Sequence, residues 1–398
     1  MRDAVIVDGN RTAVGMFGKT LRDVPASELA AHVLQDLVRR TGLPPEACEE
    51  VIFGHGYIHG GGLNIARIAS QKAGFPLETP AHVVIKACAS GLKAITLAAT
   101  AIRAGEADVI VAGGAESMSR VPHLVRLRWG KKYGSLTLED ALLVDGLVCA
   151  LRHEHMGVTA ERLAQRYGIT REEQDEFACL SHRKAAAAIA RGAFTEEIVP
   201  FEVMKGKETV VFAEDEAVRK DVSLEKMAQL PPVFVEGGTV TAGNACPMND
   251  GAASVLVMSG AKAQEYGLNP KARVVAWASV GVDPAVMGIA PVPATRKVLK
   301  KASLRLEDIA LVELNEAFAA QSLAVIRELE LDPRKVNVNG GAIALGHPVG
   351  ATGCKLTVTL INELIRRNER YGLVTLCMSG GLGMAVVFEN LRYNGRGS

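Results

Sequence analysis

The chain has 398 residues, 48% of them hydrophobic and 22% charged, a balance typical of a globular protein large enough for more than one domain. Its 45 basic and 44 acidic side chains leave a net charge of +1, so no overall field attracts nucleic acid or an anionic membrane. Seven scattered cysteines without a C-x-x-C pair argue against a metal site or a disulfide framework and predict free thiols in a cytoplasmic protein.

Strand and helix patterns alternate through the first 119 residues. The first apolar run, 4–7, is short, and we expect neither a signal peptide nor a membrane-spanning segment in this sequence. Helical patterns cover 27–40 and 90–105. Apolar runs rich in β-branched residues predict strands at 51–54, 82–85 and 108–114. This alternation predicts right-handed βαβ units on a mainly parallel sheet.

The segment 120–249 has a different texture, because it is rich in charge and contains a polar helical pattern at 170–191. We interpret it as an inserted domain. The alternation returns afterwards, with strands or helices predicted at 252–259, 273–280, 294–302, 309–314 and 373–378. The two ends of the chain are alike in kind, which favours a duplicated α/β half. We therefore predict an N-terminal half of 1–119 plus 250–270 and a C-terminal half of 271–398.

Cys88 stands where a predicted strand meets a predicted helix. A helix N-terminus lowers the pKa of a thiol, and the small residues 89–91 leave room for a substrate beside the backbone. Considered alone, a buried cysteine that packs as a small apolar side chain is the commoner case. Cys88 is nevertheless a candidate nucleophile.

Three further positions can carry chemistry. His347, in the glycine-lined GHPVG loop, is a candidate base that can take a thiol proton and later donate to an oxyanion. Cys377 ends a strand and precedes SGGLG, whose N–H groups can bind an anion. Asn315, after the strand at 309–314, can position a water or an oxyanion. For each, a purely structural role stays open: a loop histidine, a core cysteine and a loop cap.

Four segments occur in an order that resembles the thiolase family: CASGLKA at 88–94, NEAF at 315–318, GGAIALGHPVGATG at 340–353 and CMSGGLG at 377–383. The similarity extends over nearly the whole chain. The inserted segment is most similar to that of the family's acetyl-CoA acetyltransferases. The resemblance implies an α/β thiolase fold, in which two duplicated βαβ-type halves form a layered αβαβα core with an inserted loop domain.

The resemblance also implies a ping-pong mechanism. Cys88, activated by His347, would take the acyl group from an acyl-CoA, and Cys377 would remove the α-proton of a bound acetyl-CoA. The carbanion would then attack the Cys88 thioester to form a 3-ketoacyl-CoA, and thiolysis is the reverse. The first oxyanion site would be His347 with a water on Asn315, and the second the backbone N–H groups of Cys88 and Ser379.

Coenzyme A enters as a substrate and product, and no cofactor or metal is implied. Residues implied to contact its pantetheine arm are Leu147, His155, Met156, Phe234, Ala242, Cys246, Met287, Ala317 and Phe318, while Arg219 resembles the residue near the nucleotide. The family forms homo-oligomers, with a tetramer favoured here over a dimer. Four positions depart from the usual pattern. Ile85 stands where asparagine is usual, Cys246 and Pro247 replace a Ser-Gly pair, and Ser379 stands where glycine is common.

Several alternatives are open at this point. A ketoacyl synthase of the same superfamily would require a histidine in place of Asn315 and no acid–base cysteine at Cys377, so the residues favour a thiolase. A 3-ketoacyl-CoA thiolase of broader chain length, active in fatty acid β-oxidation, remains a second interpretation. A catalytically silent acyl-CoA-binding subunit is a third, suggested by Ile85 and Cys246.

Overall fold

The computed structural model describes residues 2–395, apart from the side chain of Lys205. The first part of the chain contains β1 (Ala4–Thr12), β2 (Gly15–Met16), α1 (Ala26–Thr41), β3 (Glu50–Gly54), α2 (Ile65–Lys72), β4 (Ala81–Val84), α3 (Ser90–Ala104) and β5 (Val109–Ser117). The middle part contains β6 (His123–Leu124), β7 (Glu139–Asp140), β8 (Val148–Cys149), β9 (Glu154–His155), α4 (Met156–Tyr167), α5 (Arg171–Ala190), β10 (Ile198–Val199), β11 (Phe201–Lys205), β12 (Glu208–Phe212) and α6 (Leu224–Ala228). The last part contains β13 (Asn249–Ser259), α7 (Gly260–Glu265), β14 (Ala272–Gly281), α8 (Pro291–Ala302), β15 (Leu311–Leu314), α9 (Ala319–Leu329), α10 (Ala342–Leu345), α11 (Val349–Arg366), β16 (Tyr371–Met378) and β17 (Leu382–Asn390).

A large mixed sheet organises the described residues. Its strand order is β15-β16-β17-β14-β1-β13-β5-β3-β4, with β10 added on β1 and β2 on β13. The pairs β3–β4, β3–β5, β15–β16 and β1–β10 are parallel, whereas β1–β13, β5–β13, β1–β14, β14–β17 and β16–β17 are antiparallel. Among the strands of the first 119 residues, β3 pairs in parallel with both β4 and β5, which agrees with the parallel arrangement predicted for that region. Each of the antiparallel pairs includes a strand that begins after residue 248, so the sheet as a whole is mixed. Strands buried on both faces form continuous apolar runs whichever way they point, so the pattern located them without giving their direction.

Three buried clusters show how the layers stack. β1 and β14 are joined through Val5–Arg273 and Ile6–Ala272, so the sheet consists of two halves that meet edge to edge. α3 and α11 pack between these halves, with Leu92 and Leu356 in the same cluster as strand residues of both. α1 and α2 cover the outer face of the first half, and α8 and α9 cover that of the second. This arrangement confirms the predicted αβαβα layering.

α3 and α11 approach each other closely through glycine. A Cβ built on Gly91 of α3 would lie 2.8 Å from the carbonyl oxygen of Gly350. One built on Gly353 of α11 would lie 2.5 Å from the backbone nitrogen of Leu92. Backbone atoms cannot retreat cheaply at such distances, so the crossing requires residues without a side chain. It brings the start of α3 close to the start of α11.

The segment between β5 and β13 is tied to the sheet by a buried ion cluster. Arg11 of β1 donates to Glu197 at 2.7 Å and to both carboxylate oxygens of Asp215 at 2.7 and 2.9 Å. β10, which follows Glu197, pairs with β1. The division at 120–249 stays a prediction, because these contacts join the segment to the sheet without marking a boundary. Among residues 2–395, no helix combines the length and the apolar character needed to span a membrane.

Candidate active site

Cys88 lies on a sharp turn between β4 and α3. Ala87, immediately before it, has a backbone φ of +44°, a value that residues other than glycine rarely adopt. The hydroxyl of Ser90 holds this turn, because it accepts from the N–H of Lys86 at 2.8 Å and donates to the carbonyl of Ala87 at 2.6 Å. A Cβ on Gly54 would lie 2.3 Å from the nitrogen of Gly91, so β3 also presses against the start of α3. Strain of this kind is characteristic of functional turns.

The Cys88 thiol is protonated at neutral pH. Burial raises its pKa to about 11, even though the backbone N–H groups of Cys88 itself and of Ser379 act on the sulfur in the opposite direction. Burial therefore outweighs the lowering of the Cys88 pKa that was expected from the helix N-terminus. Cys88 precedes the N-cap residue Ala89 and lies outside the first turn of α3, where the helix field is strongest. The thiol requires a base to become a nucleophile.

His347 lies between α10 and α11 and is buried. Its backbone N–H donates to Oδ1 of Asn249 at 2.8 Å, and its Nδ1 is 2.6 Å from Oγ1 of Thr352. Burial, and next the positive charge of Lys355, lower the pKa of His347 to about 3. The imidazole is thus neutral at physiological pH, the form in which it can accept a proton.

Cys377 is the second thiol of the site and lies at the end of β16. Only 1% of its surface is exposed. Burial raises its pKa well above the usual value, and the neighbouring thiols of Cys88 and Cys246 raise it further. The pKa of Cys246 is likewise raised to about 12 by burial and then by Cys88. After Cys377 the chain turns through Gly380 and Gly381, both with positive φ, into β17.

Asn315 follows β15 and is fully buried. Its backbone N–H donates to the carbonyl of Thr375 at 3.1 Å. Within the described residues, neither Oδ1 nor Nδ2 of its side chain has a hydrogen-bond partner. Burying an amide without hydrogen-bond partners destabilises the folded state. We therefore expect the side chain of Asn315 to bind a polar group such as a water.

One cavity of about 240 Å³ brings the reacting groups together. Cys88, His347, Cys377 and Ser379 all line it. Residues predicted to contact pantetheine that also line it are Leu147, Met156, Cys246, Met287, Ala317 and Phe318. The departures Ile85 and Pro247 are part of its wall too.

The remaining predicted positions lie outside this lining. His155 and Phe234 stack with ring centroids 4.5 Å apart, and Phe234 meets the wall residue Phe318 edge-on at 6.0 Å. Ala242 and Arg219 are exposed, and the backbone N–H of Arg219 donates to Nδ1 of His182 at 3.1 Å. Phe234 thus meets the wall from outside the cavity, and Asn315 does not line the cavity either.

Sequence reasoning missed one side of the cavity. Tyr57, Met118, Met248 and Val349 line it, together with the loop after β3. Buried Glu116 supports that side, since its carboxylate accepts from the N–H of Gly56 at 2.8 Å and of Gly350 at 2.9 Å. The sequence feature that could have indicated this side of the cavity is GHGY at 54–57, a glycine-containing segment at the end of a strand.

Comparison with known proteins decides the family. The family model described as "Thiolase, N-terminal domain" matches residues 4–261, and that described as "Thiolase, C-terminal domain" matches residues 268–390. The chain belongs to the thiolase family. This thiolase is 53% identical to an acetyl-CoA acetyltransferase of Pseudomonas aeruginosa, over 97% of this chain and 99% of the relative. It is 51% identical to one of Cupriavidus necator, over 98% of this chain and 100% of the relative.

Solved structures agree with this assignment. The thiolase superposes on the acetyl-CoA acetyltransferase of Bacillus anthracis with a TM-score of 0.96 and 46% identity, covering 98% of this chain and 99% of the other. Human mitochondrial 3-ketoacyl-CoA thiolase gives a TM-score of 0.95 and 41% identity with the same coverage. The fold of this thiolase is therefore that of the family throughout.

Proposed function

We propose that this thiolase is an acetyl-CoA acetyltransferase that condenses two molecules of acetyl-CoA to acetoacetyl-CoA and CoA, and catalyses the reverse thiolysis. The observation that carries the proposal is the single cavity lined by two thiols, Cys88 and Cys377, and a neutral imidazole, His347. The names of the relatives that align with this chain over nearly their whole length support it.

In the first half-reaction Cys88 becomes acetylated. His347 takes the proton of the Cys88 thiol as its sulfur attacks the thioester carbonyl, and the bond from that carbon to the CoA sulfur breaks. Cys377 gives its proton to the departing CoA thiolate, so free CoA leaves as a thiol. The enzyme is left as an acetyl thioester on Cys88, an imidazolium at His347 and a thiolate at Cys377.

In the second half-reaction Cys377 acts as the base. Its raised pKa makes its thiolate a stronger base than the thiolate of an ordinary cysteine. The difference between the pKa of the base and that of the weakly acidic α-proton of acetyl-CoA is therefore smaller. The carbanion attacks the Cys88 thioester, and the Cys88 sulfur leaves and recovers its proton from His347. Every proton is then back where it began.

Oxyanions form in both half-reactions and need donors. We assign the backbone N–H groups of Cys88 and Ser379 to one of them, because both already act on the Cys88 sulfur. His347 and a water held by the unpartnered amide of Asn315 would serve the other. Preorganised donors of this kind each contribute about 3 kcal/mol to transition-state stabilisation. Beyond CoA as substrate and product, this scheme uses no cofactor.

Thiolytic cleavage of acetoacetyl-CoA tests the proposal. With free CoA present, the enolate absorbance of acetoacetyl-CoA should fall at a rate proportional to enzyme concentration. A folded protein, verified by circular dichroism, that gives no turnover would contradict the proposal. It would favour the silent acyl-CoA-binding subunit instead.

A broader 3-ketoacyl-CoA thiolase is the second candidate function. The apolar side of the cavity formed by Tyr57, Met118, Met248 and Val349 favours it, as does Ile85 at the wall, which is 57% exposed. These side chains offer apolar contact to an acyl group longer than acetyl. Rates with 3-ketoacyl-CoA substrates from C4 to C16 separate the two candidates: a maximum at C4 supports the acetyltransferase, and a maximum at longer chains the broader enzyme.

We further propose that CoA reaches the cavity past the His155–Phe234 stack, with Ala242 beside the pantetheine arm and Arg219 near the nucleotide. The stack adjoins the wall residue Phe318, and Arg219 is an exposed cation suited to phosphate. An Arg219→Ala variant should raise KM for CoA while leaving kcat nearly unchanged, because the contact would be equal in the ground and transition states.

We also propose a homo-oligomer, with a tetramer favoured. β4 is the last strand at its edge of the sheet in the described residues and continues into exposed Ile85. Open edges invite pairing with a second copy. Trp129 and Tyr133, each 94% exposed, form a second apolar region in the segment between β6 and β7. Light scattering during size exclusion checks the mass. Free thiols at all seven cysteines support a cytoplasmic location.

A further inference from the structure

The two ring nitrogens of His347 have different surroundings. Nδ1 lies 2.6 Å from Oγ1 of Thr352, which is fully buried in the first turn of α11. Nε2 makes no hydrogen bond to any residue that the structure describes, and the ring lines the cavity that contains Cys88. Which nitrogen carries the proton therefore decides whether the imidazole can act as a base toward the cavity.

The hydroxyl hydrogen of Thr352 is already engaged. Oγ1 of Thr352 donates to the carbonyl oxygen of Pro348 at 2.7 Å, the back-bond to residue i−4 that threonine often makes in a helix. A hydroxyl has one hydrogen, so Oγ1 is left with lone pairs toward His347. Nδ1 must then carry the proton, and Nε2 of the neutral ring has the free lone pair.

The backbone on both sides of the ring is also fixed. Asn249 accepts from the N–H of His347 at 2.8 Å, and Nζ of Lys355 donates to the carbonyl oxygen of Gly346 at 2.8 Å. With the main chain held, a 180° flip of the ring would place Cδ2 where Nδ1 stands and would lose the bond to Thr352. The orientation of the imidazole and its tautomer are thus set by the same contact.

We infer that Thr352 is a positioning residue that holds His347 in the Nδ1–H tautomer and so presents the unprotonated Nε2 to the Cys88 thiol. The inference deepens the proposed function, on which it rests. Thr352 does not touch the reacting atoms and acts through His347. The hydroxyl of Thr352 makes the contact with His347. Substitution by valine removes that hydroxyl and keeps the methyl group, so the two can be tested separately.

Two variants of Thr352 and one matched control test the inference. Thr352→Val keeps the shape and removes the hydroxyl, and it should slow acetylation of Cys88 in a single turnover roughly 10- to 100-fold, part of what a general base supplies. Thr352→Ser keeps the hydroxyl and should restore the rate. Thr357→Val removes the same kind of back-bond, Thr357 Oγ1 to Gly353 O at 2.8 Å, in the same helix. It should acetylate at the wild-type rate. The acetyl-CoA concentration that gives half the maximal single-turnover rate should stay unchanged in all three.

The tautomer itself can be read without any turnover. Long-range 1H–15N correlation of histidine-labelled wild-type protein should show His347, assigned by its loss in His347→Asn, as Nδ1–H, and Thr352→Val should abolish that preference. An Nε2–H signal in the wild type overturns the inference, as does wild-type acetylation by Thr352→Val or an equal loss in Thr357→Val. If the wild-type protein lacks thiolysis altogether, the proposed function fails while the spectrum still decides the tautomer.

Discussion

Gly353 of α11 lies so close to Leu92 of α3 that a Cβ at position 353 would fall 2.5 Å from the Leu92 nitrogen and 2.6 Å from its Cβ. This contact sets the separation of the two central helices. Cys88 precedes one of them and His347 the other, so the packing of Gly353 against the backbone of α3 governs the geometry of the nucleophile and its base. The catalytic pair is therefore positioned by the core, between the two halves of the sheet.

Gly353→Ala should harm both stability and acetylation. The added methyl group would meet backbone atoms, and overpacking of this kind costs about 1–3 kcal/mol in the free energy of unfolding. Separation of α3 from α11 should also slow acetylation of Cys88. Urea unfolding and single-turnover acetylation measure the two effects. Gly260→Ala is the control, since nothing lies within 4 Å of its added Cβ, and it should change neither.

The reactivity of Cys88 toward iodoacetamide should rise with pH well beyond neutrality. Burial places its pKa at about 11, so the reactive thiolate fraction increases about tenfold per pH unit below that value. The rate, followed at the Cys88 peptide by mass spectrometry, should therefore keep rising between pH 6 and about pH 10. A plateau reached near pH 7 would mean a preformed thiolate and would contradict the role of His347 as base.

Lys355 should affect how the rate of Cys88 acetylation falls at acidic pH. Burial is the main reason that the pKa of His347 is low, and the charge of Lys355 lowers it further. Removing that charge raises the pKa of His347, and a base is lost when pH falls below its pKa. In Lys355→Met the acidic limb of the acetylation rate should therefore move to higher pH.

Lys355→Arg is the matched control for this prediction. It retains a positive charge and a donor for the Gly346 carbonyl, and its acidic limb should stay in the wild-type position. An unshifted limb in Lys355→Met would show that the charge does not act on His347.

Most secondary-structure elements and the reacting residues could be predicted from the sequence. The neighbouring residues that set the pKa values of those reacting residues could not. Apolar periodicity placed α3 and β16 within a few residues, because both are buried over most of their length. The antiparallel pairs of the sheet escaped it, and so did the raised pKa of Cys88, since burial at a cavity is set by distant segments. Glu116 was missed for the same reason: its partners Gly56 and Gly350 lie 60 and 234 positions away.

Mass spectrometry of intact protein after mixing with acetyl-CoA tests the division of labour between the two thiols most directly. Cys377→Ala should still gain one acetyl group on Cys88, although more slowly, because the departing CoA thiolate must then take its proton from solvent. It should form no acetoacetyl-CoA, because the carbon nucleophile cannot be generated. Cys88→Ala should remain unacetylated, since Cys88 is the thiol whose sulfur attacks the thioester and Cys377 serves only as acid and base. Acetylation of Cys88→Ala at another cysteine, or condensation by Cys377→Ala at the wild-type rate, would contradict the assignment.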